Sequence, residues 1–287
     1  MSAASAQDYG APASTPQQAT GQNAPVAGGR SLRVLVAQSE IKSDINLSNV
    51  AVATGGGLLG GLIGAAVDSA RAKKAEQLIV PVRSAMADVD ADAMAIEAAK
   101  ASFANAAWNV PVDGGNFSKD SSPAGKSAFL DSNPNAQTAF VEYTYDLSPN
   151  FDALRVVQKI EIAAESVPSV KDKPEKRLAP KYLVYSGSLA SVVLLPSSTN
   201  EKEANAALWA ADGAKLARAA MAQSFARLQQ LTPRLLAMTS SEQAALTADK
   251  KNKRTMAGGF LGRPQPTSDG TTLLWTGNGF VDVAPLN

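Results

Sequence analysis

Residues 138–162 read TAFVEYTYDLSPNFDALRVVQKIEI. Val141, Tyr143, Tyr145 and Leu147 alternate with Glu142, Thr144 and Asp146, the period of two that a half-buried strand requires. Leu147-Ser148-Pro149-Asn150 is a turn signal, because proline presets φ while serine and asparagine bond to nearby backbone. Beyond it Leu154, Val156, Ile160 and Ile162 resume the alternation, so the stretch predicts a β-hairpin. Such a hairpin has one apolar face, and the rest of the chain must supply its cover.

A third strand is expected around Tyr182–Leu195, after the charged loop KDKPEKR at 171–177. The cover is expected from alanine-rich helices. Asn200 with Glu203 reads as a capping box opening a long helix. Its apolar face carries Trp209, Leu216, Met221, Phe225 and Leu228, and Thr232-Pro233 ends or kinks it. Thr239 with Glu242 repeats the capping pattern ahead of a short helix. Thr271–Trp275 and Phe280–Val283, joined by Thr276-Gly277-Asn278-Gly279, predict a terminal hairpin. The expected fold class is α+β: an antiparallel sheet packed with several Ala-rich helices, including a Gly-rich helix near residues 55–80.

Upstream, residues 1–30 are Ala, Ser, Pro, Gln and Gly with few bulky side chains, and read as a disordered leader. Ala4-Ser5-Ala6 followed by Gln7 has the small-x-small form of a signal-peptidase site. It is read either as the remnant of a signal peptide ending at Ala6 or as a chance match in an Ala/Ser-rich tail. Residues 31–110 hold a strand beginning with Leu32, Val34 and Val36 and a second alternation at Ile41, Ile45 and Leu47. The Gly-rich helix follows, running until Pro81. An Ala-rich helix capped by Asp90 or Asp92 then runs towards Trp108. Residues 111–136, rich in Gly, Ser, Pro and Asp, read as a loop or linker. Residues 137–249 contain the hairpin, third strand and long helix, and 250–287 a basic loop and the terminal hairpin.

The chain of 287 residues has no cysteine, no histidine and a net charge of +1. Those absences remove Ser-His-Asp triads, thiolate nucleophiles, disulfides and metal sites built on imidazole or thiolate. Carboxylate, lysine or tyrosine chemistry stays open, as does an oxygen-ligand site for calcium or magnesium. The balanced charge gives no bulk attraction to nucleic acid. No cofactor is expected.

Three motif matches fail on their own chemistry. Gly55, Gly57 and Gly60 satisfy G-x-G-x-x-G, yet no second strand ending in an acid follows, and Pro81 interrupts the apolar QLIV. Gly125-Lys126-Ser127 resembles the end of a phosphate loop, but Asp120 stands where its first glycine belongs. Asp88, Asp90 and Asp92 have EF-hand gaps, while Ala93 and Ala99 occupy the glycine and bidentate-acid positions. Lys250-Lys251-Asn252-Lys253-Arg254 is a basic run, read as a solvated loop or a contact for anionic lipid or nucleic acid. Trp108, Trp209 and Trp275 read as core or hairpin anchors.

Thr54–Asp68, TGGGLLGGLIGAAVD, concentrates glycine where an isolated helix would lose about 1 kcal/mol for each. Wound at about 100° per residue, Gly56, Gly60 and Gly64 form one row and Gly57, Gly61 and Ala65 the next. Leu58, Leu59, Leu62 and Ile63 lie opposite. A small-residue face of this kind lets another backbone approach closely. The uncharged run Val50–Val67 has 18 residues, the lower edge of the roughly 17–25 that span a bilayer. Arg71, Lys73 and Lys74 follow it as headgroup anchors. A packed internal helix, self-association or membrane insertion, and a glycine loop before a shorter helix are the readings this face allows.

The run INLSNVAVATGGGLLGGLIGAAVDSARAKKAE at 45–76, continuing into VRSAMADVDADA at 82–93, resembles uncharacterised exported proteobacterial proteins and lipoproteins with a glycine-zipper-like helix. The hairpin YTYDLSPNFDALRV at 143–156 is similar to theirs. The resemblance implies a periplasmic or cell-envelope location and brings no assigned activity or site residues. The lipoprotein cysteine is missing here.

The expectation is a non-enzymatic, envelope-associated protein. Its helix-packing residues are Gly56, Gly57, Gly60, Gly61, Gly64 and Ala65, and its partner is a second copy or the membrane. The alternative is a small-ligand-binding protein or carboxylate-dependent enzyme with a cleft between sheet and long helix, where acids meet Tyr143 or Tyr145.

Overall fold

A computed structural model describes residues 29–44, 58–106, 115–133, 137–164, 183–248, 253–267, 269–277 and 279–287. The strands are β1 (Arg30–Leu35), β2 (Lys42–Ser43), β3 (Gly115–Ser118), β4 (Gln137–Leu147) and β5 (Ala153–Ala164), then β6 (Leu183–Leu194), β7 (Thr255–Ala257), β8 (Phe260–Gln265), β9 (Thr272–Trp275) and β10 (Gly279–Pro285). The helices are α1 (Leu58–Ala85), α2 (Ala91–Ala104), α3 (Pro123–Ser132), α4 (Lys202–Ala237) and α5 (Ser240–Ala248). The fold is α+β. One ten-stranded sheet runs β3-β1-β4-β5-β6-β10-β9-β8-β7, with β2 beside the end of β4.

The hairpin that organises the sheet is β4–β5. Val141 faces Ile160, Tyr145 faces Val156 and Leu147 faces Leu154, so both strands present one apolar face. Its turn is tied by Ser148, whose Oγ accepts from the backbone N–H of Asp152 and of Ala153, each at 3.0 Å. β6 extends the pairing along β5. The expected antiparallel sheet is mostly antiparallel but mixed: β1 runs parallel to β3 and β4, and β10 parallel to β6. Strands connected through helices are free to pair in parallel, and each of these pairs is so connected.

The buried face of β4, β5 and β6 packs beneath α4, which in turn packs against α1 and α2. On the other face α3 sits near β1 and β4, with Leu130 against Leu35 and Phe140. The segment 111–136, read as a loop or linker, carries β3 and α3. Ser122 caps α3 by accepting from Gly125 N–H at 3.1 Å, and Pro123 sits in its first turn.

Several helix limits differ from expectation. α1 continues past Pro81 to Ala85; Pro81 and Gln77 are both exposed, so the carbonyl that proline cannot bond faces solvent. Asp90 caps α2 as expected, accepting from Ala93 N–H at 2.9 Å, and α2 ends at Ala104. α4 begins at Lys202 after Glu201, without a side-chain cap; the Asn200–Glu203 box does not form. Asn205 organises that entrance instead, accepting from Thr199 N–H at 2.8 Å and donating to Thr199 O at 2.9 Å. α4 passes Thr232-Pro233 and breaks earlier, where Asp212, Gly213 and Ala214 take left-handed φ of 51°, 67° and 59°. The Thr239–Glu242 box does form: Glu242 N–H donates to Thr239 Oγ1 at 3.2 Å, and Thr239 N–H to Glu242 Oε2 at 2.7 Å. The leader up to position 28, Ile45, Leu47, Trp108 and the 171–177 loop lie outside the described residues.

Candidate functional site

Around Tyr143 the interface between the sheet and α4 is packed, while at its edge a pocket of about 260 Å³ is lined by Gln223, Arg227, Asp269, Thr271 and Asp282. Tyr143 lies fully buried against Phe225, their ring centroids 5.4 Å apart. Its hydroxyl accepts from Gln158 Nε2 at 2.8 Å, and Gln158 Oε1 accepts from Thr232 Oγ1 at 2.7 Å. Burial pushes the Tyr143 phenol well above its ordinary value. It is thus a neutral member of a closed polar chain inside the core, which specifies register more than chemistry.

Tyr145 reaches a small cavity of about 50 Å³ lined also by Glu40, Arg83 and Met221. Burial, and then Asp92 and Glu40, push its phenol up to about 12. Arg83 is committed: it pairs with Glu40 at 2.8 Å and with Glu76, and donates to Ile41 O at 3.2 Å. Ligand pockets run to about 300 Å³ or more, and a water takes about 30 Å³. Acid and tyrosine do meet here, around a space sized for a water or two. Tyr143 and Tyr145 therefore do not line a common substrate-sized cleft.

Two charged clusters occupy the opposite face. Lys126, from the Gly-Lys-Ser match, is buried with Glu161 Oε2 at 2.9 Å and Glu142 Oε2 at 3.2 Å. Burial pulls its ammonium down, yet the two carboxylates hold it net above its ordinary value. Farther along the strands, buried Arg155 donates to Asp146 Oδ1 at 2.6 Å and to Asp44 Oδ2 at 2.8 Å. Burial outweighs Arg155 and raises the Asp146 carboxyl to about 6. The Lys126 cluster ties α3 to β4 and β5, and the Arg155 cluster ties the end of β2 to the same two strands.

The glycine-rich stretch leads into α1. Gly60, Gly61, Gly64 and Ala65 fall in its first turns, whereas Gly56 and Gly57 precede it and lie outside the described residues. Side chains up to Asp68 also lie outside the description. From Ala75 onward α1 docks: Ala75, Ile79 and Val82, then Met86 just beyond, form the four-three-four stripe that meets α4. Lys74 pairs with Glu203, and Arg218 donates to Ala85 O at 2.5 Å while pairing with Asp88. Ser69, Ala70, Arg71 and Lys73, one to two turns earlier, are exposed.

A wider groove of about 470 Å³ lies where the end of α4, α5 and strands β8 and β10 converge. Met238, Ala245, Leu246 and Phe280 supply apolar wall, and the Arg234 guanidinium stands 4.7 Å above the Phe280 ring. These residues come from separate elements, so no local pattern in the sequence joins them. Among the described residues, no cluster of three or more acids could hold a metal ion, and no helix is long and apolar enough to cross a membrane. In comparisons with known proteins, no family model, curated protein or solved structure matches this chain.

Proposed function

We propose that this chain is a non-enzymatic interaction protein of the cell envelope, and that its glycine-rich helix packs closely against the same helix of a second copy. The contact residues are Gly56, Gly57, Gly60, Gly61, Gly64 and Ala65. The observation behind this reading is that α1 is helical across Gly60, Gly61 and Gly64, at a local cost of roughly 1 kcal/mol each. Among the described side chains of α1, Ser69, Ala70, Arg71 and Lys73 are exposed, and the docked stripe on the body begins at Ala75. A close-packing helix partner would offset that cost. Sedimentation velocity on the wild type and Gly60→Leu tests it, with an oligomer expected for the first and a monomer of unchanged helicity for the second. A wild type that sediments as a monomer at every concentration would overturn it. Cell fractionation tests the location, and recovery in the cytoplasm alone would overturn the envelope assignment.

The groove beside Arg234 favours a second reading, a binding protein for an aliphatic carboxylate. Its volume lies within the range of small-molecule sites, and Arg234 brings one guanidinium to its apolar wall, while the Glu242 carboxylate, which lines the groove with Gln265, is engaged by the N–H and hydroxyl of Thr239. Calorimetric titration with decanoate should show binding that Arg234→Gln weakens about tenfold or more. No heat with the wild type would dismiss this reading.

A further inference from the structure

From Lys250 to Ser268 the chain carries five cations, Lys250, Lys251, Lys253, Arg254 and Arg263, and no acid. In a protein of net charge +1 this is a local excess, and the structure gives it a neighbour. Four large apolar residues are exposed among those described: Val80, Leu194, Met256 at 45% and Leu261 at 40%. Met256 and Leu261 are direct cross-strand partners in the β7–β8 hairpin. Lys253 and Arg254, both exposed, lead straight into β7.

The hairpin cannot turn this pair inward. Ala257 and Phe260, the next pair along, point the opposite way and pack on the cluster containing Ala153, Val192 and Val283. Between them Gly258 and Gly259 make a two-residue turn with φ of 57° and 84°, positive at both positions as a type I′ turn requires. Gly258 lies so close to the sheet that an added Cβ would come within 2.8 Å of Val192 Cγ1. One face of the hairpin is thus fixed against the sheet, and the other holds a methionine and a leucine towards solvent beside two cations.

We propose that the β7–β8 hairpin is a peripheral docking surface for an anionic phospholipid bilayer, with Met256 and Leu261 entering the headgroup–acyl boundary and Lys253 and Arg254 meeting the headgroups. Cations beside exposed aliphatic groups are the composition that interfacial binding uses. Two side chains at a tight turn offer far less than the roughly 1,200–2,000 Å² that a stable protein interface buries, which favours lipid over an acidic protein. The hairpin's one aromatic residue, Phe260, packs inward, so no stacking platform for nucleic acid faces out.

The proposal does not depend on the glycine-rich helix, and the test separates the two. In flotation with phosphatidylcholine vesicles containing phosphatidylglycerol, the wild type should float, and it should stay behind with phosphatidylcholine alone. Raised salt should release it. Lys253→Glu/Arg254→Glu should lower partitioning by at least about 25-fold, taking roughly fivefold for each cation. Met256→Ser/Leu261→Ser should also abolish flotation while melting like the wild type, since both side chains are already exposed. Gly60→Leu should still float, weakened at most by having one hairpin per particle in place of two. Absence of flotation, or flotation that survives both hairpin variants, overturns the proposal. Flotation lost only in Gly60→Leu assigns the contact to the helix and overturns it equally. Hairpin-dependent retention on DNA or polyaspartate resin without vesicle binding would assign the surface to another polyanion.

Discussion

Trp209 donates its indole N–H to the carbonyl of Phe151, 2.7 Å away, and both residues are fully buried. Phe151 lies in the β4–β5 turn with φ of 55°, a conformation a bulky side chain seldom takes. Trp209 lies on α4 just before the helix breaks at Asp212–Ala214. One hydrogen bond therefore joins two irregular points of the backbone, fastening the hairpin tip to the helix that covers it. Trp209→Phe removes the donor and strands a buried carbonyl, so stability should fall by about 2 kcal/mol. A shift of the urea midpoint smaller than a quarter of that would show that the carbonyl finds another partner.

The break in α4 offers a test of backbone strain without packing. Gly213 has φ of 67°, and an added Cβ would meet nothing within 4 Å. Gly213→Ala should cost about 1 kcal/mol, the price of left-handed backbone for a residue with a side chain. An unchanged melting temperature would show that the helix straightens to accommodate alanine.

Lys126 is buried between two carboxylates, so truncating it leaves charge without compensation. Lys126→Met should destabilise by about 3 kcal/mol, and adding Glu161→Leu should restore much of the loss. Urea unfolding of the single and double variants gives the coupling. Additive losses would mean that Glu161 is held chiefly by Lys159, 2.6 Å away on its exposed side.

Asp146 makes stability depend on pH in the direction opposite to most acids. Its folded pKa, about 6, lies above the ordinary 3.8, because burial outweighs the pull of Arg155. Between those values the folded state binds more protons than the unfolded one, so stability from this group rises as pH falls from 7 towards 4. Asp146→Asn should remove that rise, leaving a flatter profile than the wild type between pH 7 and 5. Glu161 is held below its ordinary value, with Lys126 and Lys159 outweighing burial, and its contribution is lost only at lower pH, as it protonates. Chemical denaturation at pH 5 and 7 would distinguish the two; parallel profiles for the wild type and Asp146→Asn would contradict the assignment.

What the sequence made legible was local. The alternation of Val141, Tyr143, Tyr145 and Leu147 identified β4 because its partner is one turn away, and the Thr239–Glu242 box was legible because both halves lie within one helical turn. The parallel place of β1 was not: Leu32 pairs with Ala139 across more than a hundred residues, and alternation carries no address. α3 lay hidden in a polar segment, although Ser122-Pro123 is a cap followed by a first-turn proline. Ala257-Gly258-Gly259-Phe260 is a hairpin signal of the same kind within what read as a basic loop. Pro233 misled because its consequence is decided by neighbours: Ser102 Oγ of α2 stands 3.4 Å from the Gln229 carbonyl that the proline cannot bond. Of the glycine face, Gly60, Gly61, Gly64 and Ala65 do fall on a helix; the groove at Arg234 and the pair Met256–Leu261 come from contacts no single stretch contains.

β10 follows β7, β8 and β9 in the chain, yet in the sheet it lies between β6 and β9. As the protein emerges, β6 can join β5 at once, but its other edge stays open until roughly 80 further residues have appeared. During that interval the long free edge of β6, with Val192 and Leu194 along it, is a template for any extended chain nearby. The last strand closes that opening and anchors the three before it. A nascent or truncated chain without β10 therefore exposes a long strand edge that the complete sheet covers.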